Sequence, residues 1–227
     1  MAVDDLANIG FTNFVMFISF SGLILLFSNY IPLSNMALVG VFCLITFGIQ
    51  WALNCAATQN NLVCGNLDVG VAFLSTLMPW ALIVIVGNLF LFAFPGWVRV
   101  FSNTIGMWIS FKVVSGDKLN KNPVEPSNNS SNEYINIFNE IKDNPQIIIN
   151  EIDIIGHEDD QEKIDKIFTK YESIYPNIFK ENKEDVKQII ILKNKIGYII
   201  WNMLFGLIAV MVSTNTLLNS GCSVNLI

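Results

Sequence analysis

VGVAFLSTLMPWALIVIVGNLFLFAF, residues 69–94, carries no charged side chain, and Pro79 is its one residue that cannot donate a helical hydrogen bond. At about 1.5 Å per residue, a helix of this length crosses the ~30 Å hydrocarbon core of a bilayer. Pro79 lies mid-run and is expected to kink it. Membrane helices tolerate this where neighbours satisfy the freed carbonyl. Three similar charge-free runs lie outward from it: Ile9 to Ser28, Met36 to Leu53 and Ile196 to Leu218. The turn Asn29 to Asn35, rich in Pro, Ser and Asn, makes the first two an antiparallel hairpin. The first run follows Asp4 and Asp5 and precedes Tyr30-Ile31-Pro32, so it reads as a permanent helix and not as a cleaved signal peptide.

Charge placement divides the rest. Only 14% of residues are charged against 52% hydrophobic, well below the ~25% charged of soluble domains. Of 13 basic and 19 acidic residues, 11 and 16 fall between Ser115 and Lys195. The expected fold is therefore an all-α membrane protein with spans at 9–28, 36–53, 69–94 and 196–218. A linker over 115–132 leads to an acidic, mostly helical soluble domain over 133–195, inserted before the last span. A polar tail, 219–227, follows.

Within that domain Ile137, Phe138 and Ile141 form one apolar stripe; Ile164, Ile167, Phe168 and Tyr171 form another at helical spacing. Gln146 to Ile155 reads as a strand or a buried helix. Pro176 ends the preceding helix, and a last helix from about Asn177 continues through Lys195 into the final span. Between the third span and the linker, Trp97 to Val114 is aromatic and bounded by Arg99 and Lys112. That pattern favours a helix lying at the membrane interface over a short fourth crossing, because Arg99 is costly at mid-bilayer.

Basic residues cluster after the third span (Arg99, Lys112, Lys118, Lys121) and before the last (Lys187, Lys193, Lys195). By the positive-inside rule the soluble domain is cytosolic. Cys55, Cys64 and Cys222 then share the opposite, potentially oxidising side, while Cys43 packs inside the second helix. A Cys55–Cys64 bridge would close a ten-residue loop, stabilising by about 2–3 kcal/mol. Free thiols, or a bridge to Cys222, are the alternatives. Asn128 to Ser131 holds two overlapping glycosylation sequons that read as plain polar linker on the cytosolic side.

No catalytic constellation emerges. The single His, in Gly156-His157-Glu158-Asp159-Asp160, reads as a solvated helix start with carboxylates at the positive dipole end, and not as a metal cluster. No phosphate-cradling loop or zinc motif is present, so neither cofactor nor metal nor enzyme activity is expected. The net acidic soluble segment argues against nucleic acid as a partner. The spans hold Asn13, Gln50, Asn88 and Asn202 but no ionisable proton carrier, which reads as helix–helix glue and not as an ion path.

Pro79-Trp80, then Phe94-Pro95-Gly96-Trp97 and Phe101-Ser102-Asn103-Thr104-Ile105-Gly106, resemble a motif in multi-pass inner-membrane and minor-capsid-associated proteins of nucleocytoplasmic large DNA viruses. The resemblance covers about Cys55 to Trp108, roughly a quarter of the chain. It departs from the family pattern at Val100, where a Pro is expected, and at Met107, where an aromatic is expected. It implies a structural virion protein that holds the membrane against the capsid, with residues 133–195 contacting capsid proteins and oligomers allowed. The rival expectations are a small channel or transporter subunit, and an assembly enzyme or factor absent from the particle.

Overall fold

The computed structural model describes residues 2–27, 30, 34–61, 63–114, 146–152, 154, 161–174 and 176–220. All regular structure among them is helical. The linker, the stripe at Ile137, the sequons, His157 and Cys222 lie outside the described residues. Four helices are long and apolar enough to cross a membrane: Ala7–Phe27, Ala37–Thr58, Val69–Ala93 and Lys183–Asn219. The chain divides into two compact units, one of Met1–Phe94 with Ile199–Ile227, the other of Pro95–Tyr198.

In the first unit, α1 (Ala2–Phe27) and α2 (Asn35–Thr58) form the expected first two helices. Ser34 caps α2 by accepting from the Ala37 N–H at 3.3 Å. In the following loop the Asn60 carbonyl accepts from the N–H groups of Val63, Cys64 and Gly65 at 2.9, 3.2 and 3.0 Å. Gly65, at φ +73°, supplies the left-handed conformation this tight turn requires. Asp68 then caps α3 (Val69–Trp80) through Val71 N–H, and its own N–H reaches back to Thr58 Oγ1 at 3.1 Å. Pro79 offers no N–H to the preceding turn. The chain answers with a π-helical turn, Ala81–Ile85, and continues as α4 (Val86–Ala93), so the expected break appears as a register change.

Packing in this unit is inside-out relative to a soluble protein. Leu26, Leu44, Leu82 and Phe92 are 64–76% exposed, while Asn13, Gln50, Asn54 and Ser213 are 0–2% exposed. Exposed apolar faces on this scale have lipid as their solvent. The core joins Phe17, Phe42, Trp80, Val84, Ala209 and Val210, with Phe17 edge-on to Phe42 and Phe47 edge-on to Trp80.

The second unit is built from short helical segments and the first part of one long helix. After a 3₁₀ turn, Pro95–Trp97, come α5 (Val98–Phe101), a second π-helical turn (Ser102–Gly106) and α6 (Met107–Val114). Then follow α7 (Gln146–Glu151), α8 (Gln161–Ile174) and α9 (Pro176–Asn219), the last running unbroken into the final span as expected. Gln146–Glu151 is helix, which settles the strand-or-helix alternative for those residues. Met107 and Phe111 of α6 enter one core with Ile149, Ile152, Ile164, Phe168, Val186 and Ile189. Within this unit, Met107, Phe111 and the partly buried Val114 of the segment 97–114 thus share an apolar core with residues of α7, α8 and α9. Its hydrophobic periodicity points Met107, Ser110 and Phe111 inward at helical spacing. The predicted stripe on α8 is the face that meets this core, Ile164 and Phe168 being fully buried. Lys187–Asp165 and Lys183–Glu172 pairs, 3.2 and 3.0 Å, tie α8 to α9 at the surface and add little stability.

Candidate functional site

Two constellations stand out, one in each unit. In the second unit, Ser102, Asn103 and Gly106 of the family-like motif face Lys193, Asn194 and Gly197 of α9. Ser102 Oγ donates to Asn194 Oδ1 at 2.6 Å, and Lys193 Nζ donates to Asn103 Oδ1 at 2.9 Å. A Cβ on Gly106 would lie 2.6 Å from the Lys193 carbonyl oxygen. One on Gly197 would lie 3.0 Å from Ser102 Cβ and 3.0 Å from the Val98 carbonyl oxygen. Glycine on both sides lets the two backbones approach, and the short polar side chains lock their register.

Lys193 is 1% exposed, so its ammonium must be met by acceptors. Besides Asn103 it donates to the Ile149 carbonyl at 3.1 Å, which fastens α7 to the crossing. Asn103 and Asn150 exchange long contacts with each other's carbonyls, 3.5 and 3.4 Å, at the same place.

The motif residues do not form one site. Ser102, Asn103 and Gly106 meet at this crossing, and Thr104 is exposed with its hydroxyl turned back to the Val100 carbonyl at 2.6 Å. Phe101 is half-buried, and Pro95, Gly96 and Trp97 form an exposed turn. Pro79 and Trp80 belong to the core of the first unit. Lys193, Asn194 and Gly197 were not anticipated as partners. The available signal was the repeated Asn-x-Ile-Gly, at 103–106 and 194–197.

In the first unit, polar side chains from every span meet in the apolar interior. Asn54 is the hub. Its Oδ1 accepts from Asn13 Nδ2 at 3.2 Å and from Gln50 Nε2 at 3.1 Å, and its Nδ2 donates to Thr76 Oγ1 at 2.9 Å and to Ser213 Oγ at 2.8 Å. Asn13 and Gln50 also donate to Thr214 Oγ1, at 2.9 and 3.4 Å. A second layer joins Asn88 Nδ2 to Asn202 Oδ1 at 2.8 Å, with the Cys43 thiol at 3.6 Å from the same oxygen. A cleft of about 310 Å³ between α1 and α2 is lined by Asn8, Thr12, Asn13, Leu53 and Asn60. These groups are amides and hydroxyls, which can hold helices in register but carry no charge.

The cysteines correct one expectation. Cys64 is disulfide-bonded whereas Cys55 is a free thiol, so the Cys55–Cys64 bridge is not the one formed. Cys55 lies inside the last turn of α2, before the loop that carries Cys64. Among the described residues no group of three or more His, Cys, Asp or Glu side chains could hold a metal ion. Comparison with protein-family models, with curated proteins and with solved structures finds no match to this chain.

Proposed function

We propose that this chain is a non-enzymatic structural membrane protein of a virus particle, anchoring the inner membrane to the overlying capsid shell. The observation that carries the reading is the shared helix. α9 leads from the charged unit, which has its own apolar core, into a charge-free stretch long enough to span a bilayer. In this reading the charged unit is a water-facing body, joined to the spans by the chain at both of its ends. The resemblance of residues 79–106 to capsid-associated membrane proteins supplies the setting.

In this reading, residues 97–114 lie at the interface, and residues 133–195 face the shell from the cytosolic side and contact capsid proteins. Mass spectrometry of purified particles then finds the chain at high copy. Protease treatment of capsid-stripped particles cuts within 133–195. Shielding of that segment, or absence of the chain from particles, removes the proposal.

A small channel or transporter subunit is the second reading. It draws on the polar cluster around Asn54 and the cleft that Asn13 helps to line. Ion flux from liposomes holding the purified chain would favour it.

A further inference from the structure

We propose that the outer face of residues 97–114 is a docking surface for anionic phospholipid headgroups of the bilayer that the chain crosses. The proposal rests on the interfacial placement of this segment given above and adds the identity of the lipid.

The segment has two unlike faces. Val98, Ser102, Gly106 and Phe111 are buried. Trp97, Val100, Ile105, Trp108 and Val113 point outward and are 45–59% exposed. Helix α8 of the same unit is the internal control. It turns Glu162, Lys163, Asp165, Lys166 and Lys170 outward, as a water-facing helix does. Only one of the two helices is built for water. An outward face that combines Trp with aliphatic residues and cations matches the headgroup zone, where rings lie between hydrocarbon and water.

Charge selects the headgroup. The chain carries a net charge of −6, yet residues 95–114 contain Arg99 and Lys112 and no carboxylate. Lys112 Nζ stands 4.4 Å from the Trp108 ring centroid, so cation and ring are presented together on one exposed patch. Tether length selects the membrane over a distant partner. Trp97 is four residues beyond Ala93, the end of the third span, hence within ~14 Å of it at about 3.5 Å per residue. Each basic residue at an anionic surface strengthens binding about fivefold, and salt weakens it within the Debye length.

The test uses the full-length chain in bilayers of phosphatidylcholine with phosphatidylglycerol. Lipids brominated near the headgroup should quench a fluorescence component that is lost in W97F/W108F. Spin-labelled phosphatidylglycerol should associate more strongly than spin-labelled phosphatidylcholine. R99Q/K112Q should lower that preference by about tenfold or more, the two single effects combining. High salt should lower it in the unmutated protein, a readout that needs no variant to fold. An unquenched Trp97/Trp108 component means the face is in water or against protein and overturns the proposal. Quenching without headgroup preference overturns the anionic assignment. Resistance to carbonate extraction is measured alongside, because its loss would remove the membrane reading itself and not this surface alone.

Discussion

The carbonyl oxygen of Lys193 lies where a Cβ on Gly106 would come within 2.6 Å of it. The obstacle is backbone and not a flexible side-chain tip, so the helices must part to admit even one methyl group. Gly106→Ala should destabilise the second unit by about 1–3 kcal/mol, as overpacking does. Gly96→Ala, at a glycine with open space around it, serves as control. Thermal unfolding in detergent followed by circular dichroism checks the pair. Equal melting of G106A and the parent chain would show that the crossing is not close.

Removing the hub of the polar cluster should be felt in every span. In Asn54→Leu the buried partners Asn13, Gln50, Thr76 and Ser213 each lose a hydrogen bond. The expected loss is about 1–3 kcal/mol, since bonds between membrane helices average only ~0.6 kcal/mol each but the orphaned groups stay buried. Asn215→Leu, at an exposed position, should change stability by less than ~0.5 kcal/mol. Unfolding in mixed dodecyl sulfate micelles compares them.

Lys193→Met strips the donor from Asn103 and from the Ile149 carbonyl. Amide hydrogens of α7 should then exchange several-fold faster, because this lysine fastens that short helix. Lys166→Met removes only an exposed pair with Glu162 and should leave α7 unchanged. Mass-spectrometric hydrogen exchange on the full chain reads the difference, and unaltered α7 protection in K193M would refute the fastening role.

Maleimide labelling of the unreduced chain should modify Cys55 but not Cys64, which reacts only after a reductant is added. Cys55→Ser should leave Cys64 protected. A Cys64 thiol released by that substitution would restore the Cys55–Cys64 pairing instead.

The spans were legible because an uncharged run longer than the hydrocarbon thickness has one economical solvent. Residues 69–94 and 196–218 announce themselves without any knowledge of neighbours. The face of α8 was legible for a similar local reason, Ile164 and Phe168 being one helical turn apart. The partners of Met107 and Phe111 were not, since an apolar stripe shows that a helix has a buried side but not which residues bury it. Helix ends also hid the cysteine pairing. Sequence distance makes Cys55 and Cys64 look adjacent, whereas α2 runs on to Thr58 and fixes Cys55 in its last turn. The crossing of Gly106 and Lys193 depends on residues about ninety positions apart, and only the recurrence of Asn-x-Ile-Gly hinted at it.

The wiring of Asn54 has a consequence for how the protein is made. Its carbonyl partners and Thr76 leave the ribosome early, but Ser213 and Thr214 follow roughly 140 residues later, about 7–30 s at cellular elongation rates. Throughout that interval the hydrogen bonds of Asn54 to Ser213 and of Asn13 and Gln50 to Thr214 are unmade. The network around Asn54 can therefore close only after the last span has been made, so the first three helices cannot reach their final register on their own.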